Sequence, residues 1–411
     1  MSDAFDWIDA QQKPLEETLQ QWSQINSSSH NLSGLENMHA ALKNTFGALA
    51  DECETIAANT STVVDRKGEL SEKHYGAMLR CIKRPQAKRR ILLCGHMDTV
   101  FPVDSAFQTP RHIDENTING PGVADMKGGL LTIATALEAF ERFQSDKNVG
   151  WEVLINADEE VGSHGSAQQL EKSAKQAEVG LVYEPALADG TMVSARKGSG
   201  NFSLIVRGKT AHVGRAFDEG KNAIWQLAKA MQALHELNHQ YDEVICNLGK
   251  INGGTVVNAV ADLAICDFNI RLDSPDAQQN IEQELTTIVD AINAEDGYNA
   301  ELHGGFTRPP KPFSPEIDAL FSLLSECGEQ LGITIAHQPT GGCCDGNNLS
   351  AAGLPNIDTL GVRGGAIHTE EEFILLDSLA ERSKLSYLLI SKINALPNFS
   401  DYVANRSQHA N

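Results

Sequence analysis

Short hydrophobic runs alternate with segments of helical periodicity along much of the chain. This pattern predicts strands that alternate with helices. The runs at 90–94, 151–157 and 180–183 are brief and apolar, which is typical of parallel strands buried on both faces. Apolar residues recur at helical spacing at 127–143 and 166–175. Strands that alternate with helices predict an α/β layered domain.

The pattern near the beginning of the chain is helical. Apolar residues recur at helical spacing from Leu15 to Ala58, with a break at Ser27–Ser29. The sequence therefore predicts helical structure on both sides of these serines.

The pattern changes near residue 199. Apolar residues alternate with polar or outward-facing positions at 202–206, which predicts a strand. The following segments read as a helix at 221–239, strands at 244–251 and 262–272, a helix at 277–294 and a strand near Glu301. The order β-α-β-β-α-β is the ferredoxin-like pattern. It predicts an α+β domain that differs from the layered part around it.

The α/β pattern resumes after this segment, with a helix at 315–331 and a strand at 356–360. We therefore expect an α/β domain formed by residues 1–197 and 309–411. An inserted α+β domain at 198–308 would interrupt it.

The composition is that of a globular protein with an acidic surface. Among 411 residues, 33 basic and 55 acidic side chains give a formal charge of −22 at pH 7, and hydrophobic residues make up 41%. Such a surface repels phosphate groups and anionic lipids, so we expect no nucleic-acid partner and no membrane binding. The first residues lack an apolar signal segment and no apolar run is long enough to span a bilayer, which predicts a cytoplasmic location.

The eight cysteines are too sparse for a disulfide scaffold, and no CxxC pair occurs. We expect the adjacent Cys343 and Cys344 to be reduced, packed thiols. A cysteine nucleophile at either position is an alternative, but it would need a paired histidine and a lowered thiol pKa, and acidic surroundings raise that pKa. Loss of activity on chelation, with activity retained after alkylation, would exclude it.

Histidine and carboxylate side chains stand just beyond predicted strands or in glycine-rich turns. They are His96, Asp98, Asp125, Glu159, Glu160, Glu184 and His368. In an open α/β sheet the functional crevice lies at the carboxyl ends of the strands. A single such residue is not specific, but their recurrence at separate strand ends predicts one common site.

Four carboxylates in one crevice need compensating charge. Each like-charged pair costs about 4 kcal/mol at ~4 Å and an effective dielectric constant of ~20. Two divalent cations would cancel the charges of Asp125, Glu159, Glu160 and Glu184, and ligation by histidine and carboxylate without cysteine suits catalytic zinc. A bridging carboxylate would hold the two ions about 3.5–4 Å apart, as in two-metal hydrolases. The pattern therefore predicts a two-metal hydrolase.

Several motifs carry a family resemblance. They are GHMDTVFP, GPGVADMKGG, ADEEVGS, YEP, GKTAHVG, GGTVVNAV and TGGCCDGNN…GVRGGAIHTEEEF, in this order over about positions 91–375. The sequence resembles the zinc-dependent aminoacylase/carboxypeptidase family, which includes carboxypeptidase G, acetylornithine deacetylase and succinyl-diaminopimelate desuccinylase, and is most similar to the carboxypeptidase G type. The resemblance implies a three-layer zinc-peptidase domain with a mixed, largely parallel sheet, interrupted by a ferredoxin-like lid and dimerisation domain.

The resemblance also implies the ligands of two zinc ions, with cobalt or manganese as substitutes. His96, Asp125 and Glu184 would hold one ion. Asp125, Glu160 and His368 would hold the other, so that Asp125 bridges the pair.

Further roles follow from the same resemblance. Asp98 would orient the His96 ring. Glu159 would be the general base that takes a proton from the attacking water and gives it to the leaving nitrogen. A cis peptide is expected at Asp125–Met126.

The resemblance also implies substrate-binding roles for His212, Asn258, Arg271 and Arg308. His212 would act in the partner subunit's site, which requires a homodimer through the inserted domain.

The glutamate of the YEP motif indicates the reaction. In this family it is typical of carboxypeptidases and deacylases, whereas aminopeptidase-type members tend to have aspartate. We therefore expect hydrolysis of an amide bond next to a free carboxylate, in a peptide or an N-acyl amino acid. An aminopeptidase or dipeptidase of the same family is the alternative. The loop at 341–346 reads GGCCDG where the family has Gly-Gly-Gly-Thr-Asp-Ala, which leaves the accepted side chain open.

Two other interpretations compete with this one. Residues 235–239 read HELNH and match the HExxH zinc signature, but they end an amphipathic helix whose apolar stripe faces inward. We interpret the match as coincidence, and loss of activity in Glu236→Gln would contradict that. A catalytically inactive zinc- or peptide-binding module is also conceivable, although every expected catalytic position is filled.

Overall fold

The computed structural model describes residues 2–409. Its helices are α1 Ser2–Ala10, α2 Gln12–Ser23, α3 Leu32–Gly47, α4 Gly128–Phe143, α5 Ala167–Ala174, α6 Val213–Ala216, α7 Ala223–Gln240, α8 Pro275–Asn293, α9 Pro315–Leu331, α10 Asp345–Ala351, α11 Asp377–Ala395 and α12 Phe399–His409. Within residues 2–409, no helix has both the length and the apolar character needed to cross a membrane.

The strands are β1 Glu52–Ile56, β2 Ser61–Val64, β3 Leu70–Lys73, β4 Met78–Lys83, β5 Arg90–His96, β6 Arg111–His112, β7 Thr117–Asn119, β8 Gly150–Asn156, β9 Val179–Val182, β10 Ala186–Leu187, β11 Met192–Arg196, β12 Gly198–Arg207, β13 Val244–Gly253, β14 Leu263–Leu272, β15 Asn299–Arg308, β16 His337–Thr340, β17 Asn356–Ile357, β18 Arg363–Gly365 and β19 Phe373–Leu375.

A six-stranded sheet forms the centre of the α/β part, in the order β1-β4-β8-β5-β9-β17. Strands β8, β5, β9 and β17 run parallel, and β4 and β1 add two antiparallel pairings at one edge. The mixed, largely parallel sheet that the sequence predicts is confirmed.

Alternate residues of β5 face two different helical layers. Ile91 and Leu93 pack into a large core with the apolar faces of α1 to α4, α9 and α11, whereas Leu92 and Cys94 pack with α5 and α10 on the other face. All four side chains are fully buried, and burying each large one stabilises the fold by about 1.5–3 kcal/mol. Helices therefore cover both faces, and His96, at the carboxyl end of β5, stands on a rigid strand.

Strands β12 to β15 form a separate four-stranded antiparallel sheet in the order β13-β14-β12-β15. Helices α7 and α8 cover one face, where Leu204, Leu227 and Ile281 belong to a core of their own. The β-α-β-β-α-β order predicted from the sequence is present. The opposite face is polar, with Asn201, Ser203, Asp267 and Asn269 joined by hydrogen bonds.

The two chain segments that lead into and out of the inserted sheet are paired beside it. Arg196 and Lys311 exchange backbone hydrogen bonds of 2.9 and 3.0 Å. Their side chains both donate to Asp358 Oδ2, at 2.8 Å from Arg196 Nε and 2.7 Å from Lys311 Nζ. Burial alone would raise the pKa of Asp358, but the two cations lower it to about 2. One buried carboxylate therefore holds both connections.

The helical prediction near the beginning of the chain is wrong in part. Helix α3 ends at Gly47, and Glu52–Ile56 is an extended strand, β1, paired with β4. Strand β1 lies at the sheet edge and is largely exposed, so it lacks the apolar alternation that would have revealed it.

A disulfide joins Cys53 and Cys81, which face each other across β1 and β4. The sparse cysteines gave no sign of this pair, because the two residues meet only through the sheet. Cys343 and Cys344 are free thiols, as predicted.

We predict that Asp358→Asn lowers the free energy of unfolding by about 3–5 kcal/mol at pH 7, because it leaves two buried cations without their counter-charge. The carboxylate's contribution is present above its ordinary pKa of 3.8 and is lost as the pH falls through about 2, so the deficit should shrink between these values. Urea denaturation measures it. Asp9→Asn, which removes the exposed partner of Lys384, is the control and should cost at most about 1 kcal/mol. Equal losses in the two variants would contradict the prediction.

Candidate active site

The metal-ligand candidates converge at the carboxyl end of the six-stranded sheet. His96 is the last residue of β5, Glu160 lies in the turn after β8, and Glu184 comes two residues after β9. Asp125 lies in the turn just before α4, and His368 follows β18. Segments far apart in sequence therefore supply one cluster.

Asp125 lies at the centre of this cluster. Its Oδ1 is 3.0 Å from His96 Nε2, and its Oδ2 is 3.2 Å from His368 Nε2. His96 Nε2 is also 3.7 Å from Glu184 Oε2, and His368 Nε2 is 3.1 Å from Glu160 Oε2. Each oxygen of Asp125 therefore faces a different pair of histidine and glutamate. Ligand atoms of His96, Asp125 and Glu160 all lie within 4.8 Å of one another.

The cluster has buried oxygens that the protein leaves without a partner. Glu160 Oε1 and Glu184 Oε1 are buried and accept no hydrogen bond from the described residues. Burial, together with the nearby charge of Asp125, raises the pKa of Glu160 to about 7 and also raises that of Glu184. A divalent cation would give these oxygens a partner and cancel their charge. The donor set of histidines and carboxylates fits such an ion.

Asp98 connects the histidine of β5 to the turn after β8. The His96 Nδ1 atom lies 2.9 Å from the Asp98 backbone oxygen and 3.4 Å from its Oδ1. The Asp98 carboxylate also accepts the backbone N–H groups of Glu159 and Glu160, both at 3.1 Å. This arrangement keeps His96 Nε2 directed towards Asp125 and fixes the backbone that carries both glutamates.

Glu372 belongs to the same surroundings and was not predicted. Its carboxylate is fully buried and accepts backbone N–H groups of Gly122, Ala124 and Asp125 at 3.0, 2.8 and 2.9 Å. Burial raises its pKa to about 8. The only sequence signal was the motif TEEEF, in which three adjacent glutamates look alike. The cis peptide at Asp125–Met126, which the resemblance implied, lies in the turn that Glu372 holds.

Glu159 is paired with an arginine. Arg308 Nη2 donates to Glu159 Oε1 at 2.7 Å and to its backbone oxygen at 2.9 Å, and Nη1 donates to Asp345 Oδ1 at 2.8 Å. Burial raises the pKa of Glu159 well above its ordinary value, although Arg308 opposes this shift. Arg308 was expected at a substrate carboxylate. Its guanidinium is instead 4% exposed and bonded within the protein, because Glu159 and Asp345 both lie within its reach.

Arg271 lies on β14 and reaches the loop at 341–344. Its Nε donates to Asn269 Oδ1 at 3.0 Å, and its Nη1 lies 2.8 Å from Cys343 Sγ. The guanidinium is partly exposed, and its Nη2 makes no hydrogen bond to the rest of residues 2–409. Arg271 therefore keeps a terminal nitrogen free, whereas both terminal nitrogens of Arg308 are bonded.

His212 and Asn258 lie together on the exposed surface of the inserted region. Val213 N donates to the Asn258 backbone oxygen at 3.1 Å, and His212 Nδ1 accepts from Gly214 N at 3.1 Å. Within residues 2–409, neither side chain forms a hydrogen bond with the cluster around Asp125. The structure thus brings these two residues together but not to the metal-ligand candidates.

The structure supports neither of the two rival sites, the HExxH match at 235–239 and the cysteine nucleophile at Cys343 or Cys344. His235 and His239 are exposed on α7, and the one group of three metal-binding side chains found in the described part of the chain is the cluster around Asp125. Burial raises the pKa of the Cys343 thiol and raises that of Cys344 well above its ordinary value, which is the opposite of what a thiolate nucleophile needs.

The chain is similar to known proteins over most of its length. The sequence profile of Peptidase family M20/M25/M40 matches residues 92–392, a span that contains every metal-ligand candidate. Carboxypeptidase G2 of Pseudomonas sp. (strain RS-16) is 24% identical over 315 residues, covering 75% of this chain and 74% of that protein. Succinyl-diaminopimelate desuccinylase of Nitrosococcus oceani is 27% identical over 353 residues, covering 81% and 91%.

A solved structure, that of a tripeptidase from Staphylococcus aureus, has the same fold. It superposes with a TM-score of 0.71 at 24% identity, covering 94% of this chain and 99% of that one. The resemblance stated from the motifs and the assignment to an enzyme are confirmed. The chain belongs to Peptidase family M20/M25/M40, whose members are metal-dependent peptidases and amidohydrolases.

Proposed function

We propose that the protein is a two-metal hydrolase that cleaves an amide bond next to a free carboxylate, as a carboxypeptidase or an N-acyl-amino-acid deacylase. The observation that carries this proposal is the position of Asp125, whose two oxygens face separate histidine–glutamate pairs at 3.0 and 3.2 Å. His96 and Glu184 would complete one ion's ligands, and Glu160 and His368 the other's. When bound, two zinc ions would polarise the scissile carbonyl and offset the negative charge that develops on its oxygen.

Glu159 is the group placed to move the proton. Its Oε1 is bonded to Arg308, while its Oε2 makes no hydrogen bond within residues 2–409. Oε2 would accept a proton from the attacking water as the oxygen bonds to the carbonyl carbon. The same proton would then pass to the nitrogen as the carbon–nitrogen bond breaks, which leaves a carboxylic acid and a free amine.

Recognition of the substrate carboxylate needs cationic or polar donors that the protein does not already use. Arg271 is partly exposed and has a free Nη2, whereas Arg308 is buried and both of its terminal nitrogens are bonded within the protein. We therefore assign the primary contact with the substrate carboxylate to Arg271. Arg308 would instead hold Glu159 in position. Closure of the inserted region as a lid would bring Arg271 to the substrate, and His212 to the substrate in the partner subunit's site.

A homodimer is proposed through the inserted region, with His212 acting in the partner subunit's site. Large apolar side chains are exposed there, including Trp225 at 63% and Val257 at 103%. Strand β13 lies at the edge of its sheet and has a strand partner on one side only. The Asn238 side chain bonds the N–H and C=O of Cys246, so a second strand could pair only with the rest of β13. An aminopeptidase or dipeptidase remains the alternative reaction, because the similar proteins include both carboxyl- and amino-directed peptidases.

A substrate screen tests the proposed reaction. We expect the zinc-, cobalt- or manganese-loaded protein to hydrolyse N-acyl amino acids or dipeptides with a free carboxylate. Masking that carboxylate as an amide should lower kcat/KM about 10- to 150-fold, the value of a hydrogen bond to a charged group. Cleavage confined to substrates with a free amino terminus would overturn the proposal in favour of an aminopeptidase.

We predict that Glu159→Gln lowers kcat about 10²- to 10⁴-fold while the protein still binds two divalent ions, because the proton acceptor is lost and the ligands remain. Steady-state kinetics and metal analysis of the purified protein measure the two effects. Glu171→Gln, at an exposed position on α5, is the matched control and should behave as the parent. A Glu159→Ala variant as active as the parent would favour the non-catalytic binding module instead.

We predict that Trp225→Asp yields monomers, because it places a charge in the apolar surface of the proposed interface. Light scattering after size-exclusion chromatography measures the mass. Val103→Asp changes a residue of similar exposure, 64%, in the α/β part and should leave the dimer intact. A parent protein that is already monomeric would contradict the proposed interface.

A further inference from the structure

Two ligand-bearing segments of the candidate site are held together by one side chain that binds no substrate or metal. The turn before α4 carries Asp125, and the loop after β18 carries His368. Four residues beyond His368, the buried Glu372 carboxylate accepts from three backbone N–H groups of that turn. Oε2 takes the bond from Gly122, and Oε1 takes those from Ala124 and Asp125.

Further hydrogen bonds to the backbone oxygens of Glu370 and Glu372 join the same two segments. Asn119 Nδ2 donates to the backbone oxygens of Glu370 and Glu372 at 3.0 and 2.8 Å, and Gly120 N donates to that of Glu372 at 3.1 Å. The Glu372 side chain therefore has little freedom to move away from the turn. Its position fixes the turn relative to the loop that carries His368.

The bond to Asp125 N acts directly on the residue that both histidines approach. Fixing this backbone atom fixes the direction in which the Asp125 carboxylate leaves the chain. A turn that relaxed would move Oδ1 away from His96 and Oδ2 away from His368 at once. Because Asp125 serves both halves of the cluster, one displaced backbone would disturb both.

Asp98 provides a parallel within the same site. Its carboxylate accepts the N–H groups of Glu159 and Glu160, and so holds the other acidic turn. Two buried carboxylates thus fix the backbones of two turns that carry ligand candidates. The sequence predicted Asp98 as a residue of the site, but it did not predict Glu372.

We propose that Glu372 is a positioning residue for the shared metal ligand Asp125, and that it sets the affinity of the site for both divalent ions. This inference rests on the proposed two-metal function. Glu372 itself faces backbone amides and is not a ligand. Removing a residue that holds a metal ligand in position, without binding the metal itself, lowers metal affinity about 10- to 100-fold.

The test compares Glu372→Gln and Glu372→Ala with Glu371→Gln in the full-length protein. Glu371 is the exposed neighbour in the same motif, so its variant makes the same substitution without touching the turn. Zinc binding is measured by competition with a chromophoric chelator, and ligand geometry by the visible absorption of the cobalt-loaded protein. We expect Glu372→Gln to bind zinc about 10- to 100-fold more weakly and to change the cobalt spectrum. Glu372→Ala should be weaker still, and Glu371→Gln should match the parent.

Each outcome decides something. Parent-like zinc affinity and cobalt spectrum in Glu372→Gln would overturn the inference while leaving the two-metal proposal intact. A parent protein that takes up no divalent ion would overturn the proposed function itself. The melting temperature of each metal-free variant shows whether it folds. Should the Glu372 variants not fold, Asn119→Ala, which loosens the same segment, takes their place, and an unchanged zinc affinity in it would likewise count against the inference.

Discussion

The crowding of carboxylates at the carboxyl end of the central sheet is the constraint on which the rest of the site depends. Asp125 is surrounded by two histidines, and its pKa falls below the ordinary value because their hydrogen bonds outweigh the effect of burial. The pKa values of Glu160 and Glu184 are raised instead, because burial and the charge of Asp125 outweigh their histidine contacts, and each side chain keeps a buried oxygen without a partner. The fold tolerates this charge because β5 and its neighbours are held by cores on both faces. The central sheet is therefore a rigid frame around the negatively charged carboxylates, whose remaining charge bound cations would neutralise.

The inserted region is bonded to this frame at Glu159, the proposed proton acceptor. Arg308 is the last residue of β15, and it reaches Glu159 on one side and Asp345 on the other. Close by, Arg196 and Lys311 share Asp358, so the two connections to the inserted region cannot separate. A rotation of the inserted region about these connections would move Arg308 with it. The position of Glu159 is thus linked to the position of the inserted region through Arg308.

The sequence predicted the parts of the site that depend on local pattern. A short apolar run followed by a histidine or carboxylate marked His96, Glu160 and Glu184, and their convergence followed from the geometry of parallel strands. Glu372 could not be found in this way, because it differs from Glu370 and Glu371 only in its tertiary contacts. The bonded position of Arg308 depends on Asp345, which lies 37 residues further along the chain. Strand β1 and the Cys53–Cys81 pair were missed for the same reason, since an exposed edge strand is defined by its neighbour rather than by its own periodicity.

Charge also connects metal loading with substrate recognition. The chain carries a formal charge of −22, so a carboxylate-bearing substrate approaches against the overall field. Without cations, the cluster around Asp125 would add to this repulsion at the point where the substrate must bind. The two proposed divalent ions would cancel this local charge, and the free donor of Arg271 would then attract an incoming carboxylate. Under the proposed function, the ions would therefore assist recognition of the carboxylate by Arg271 as well as bond cleavage.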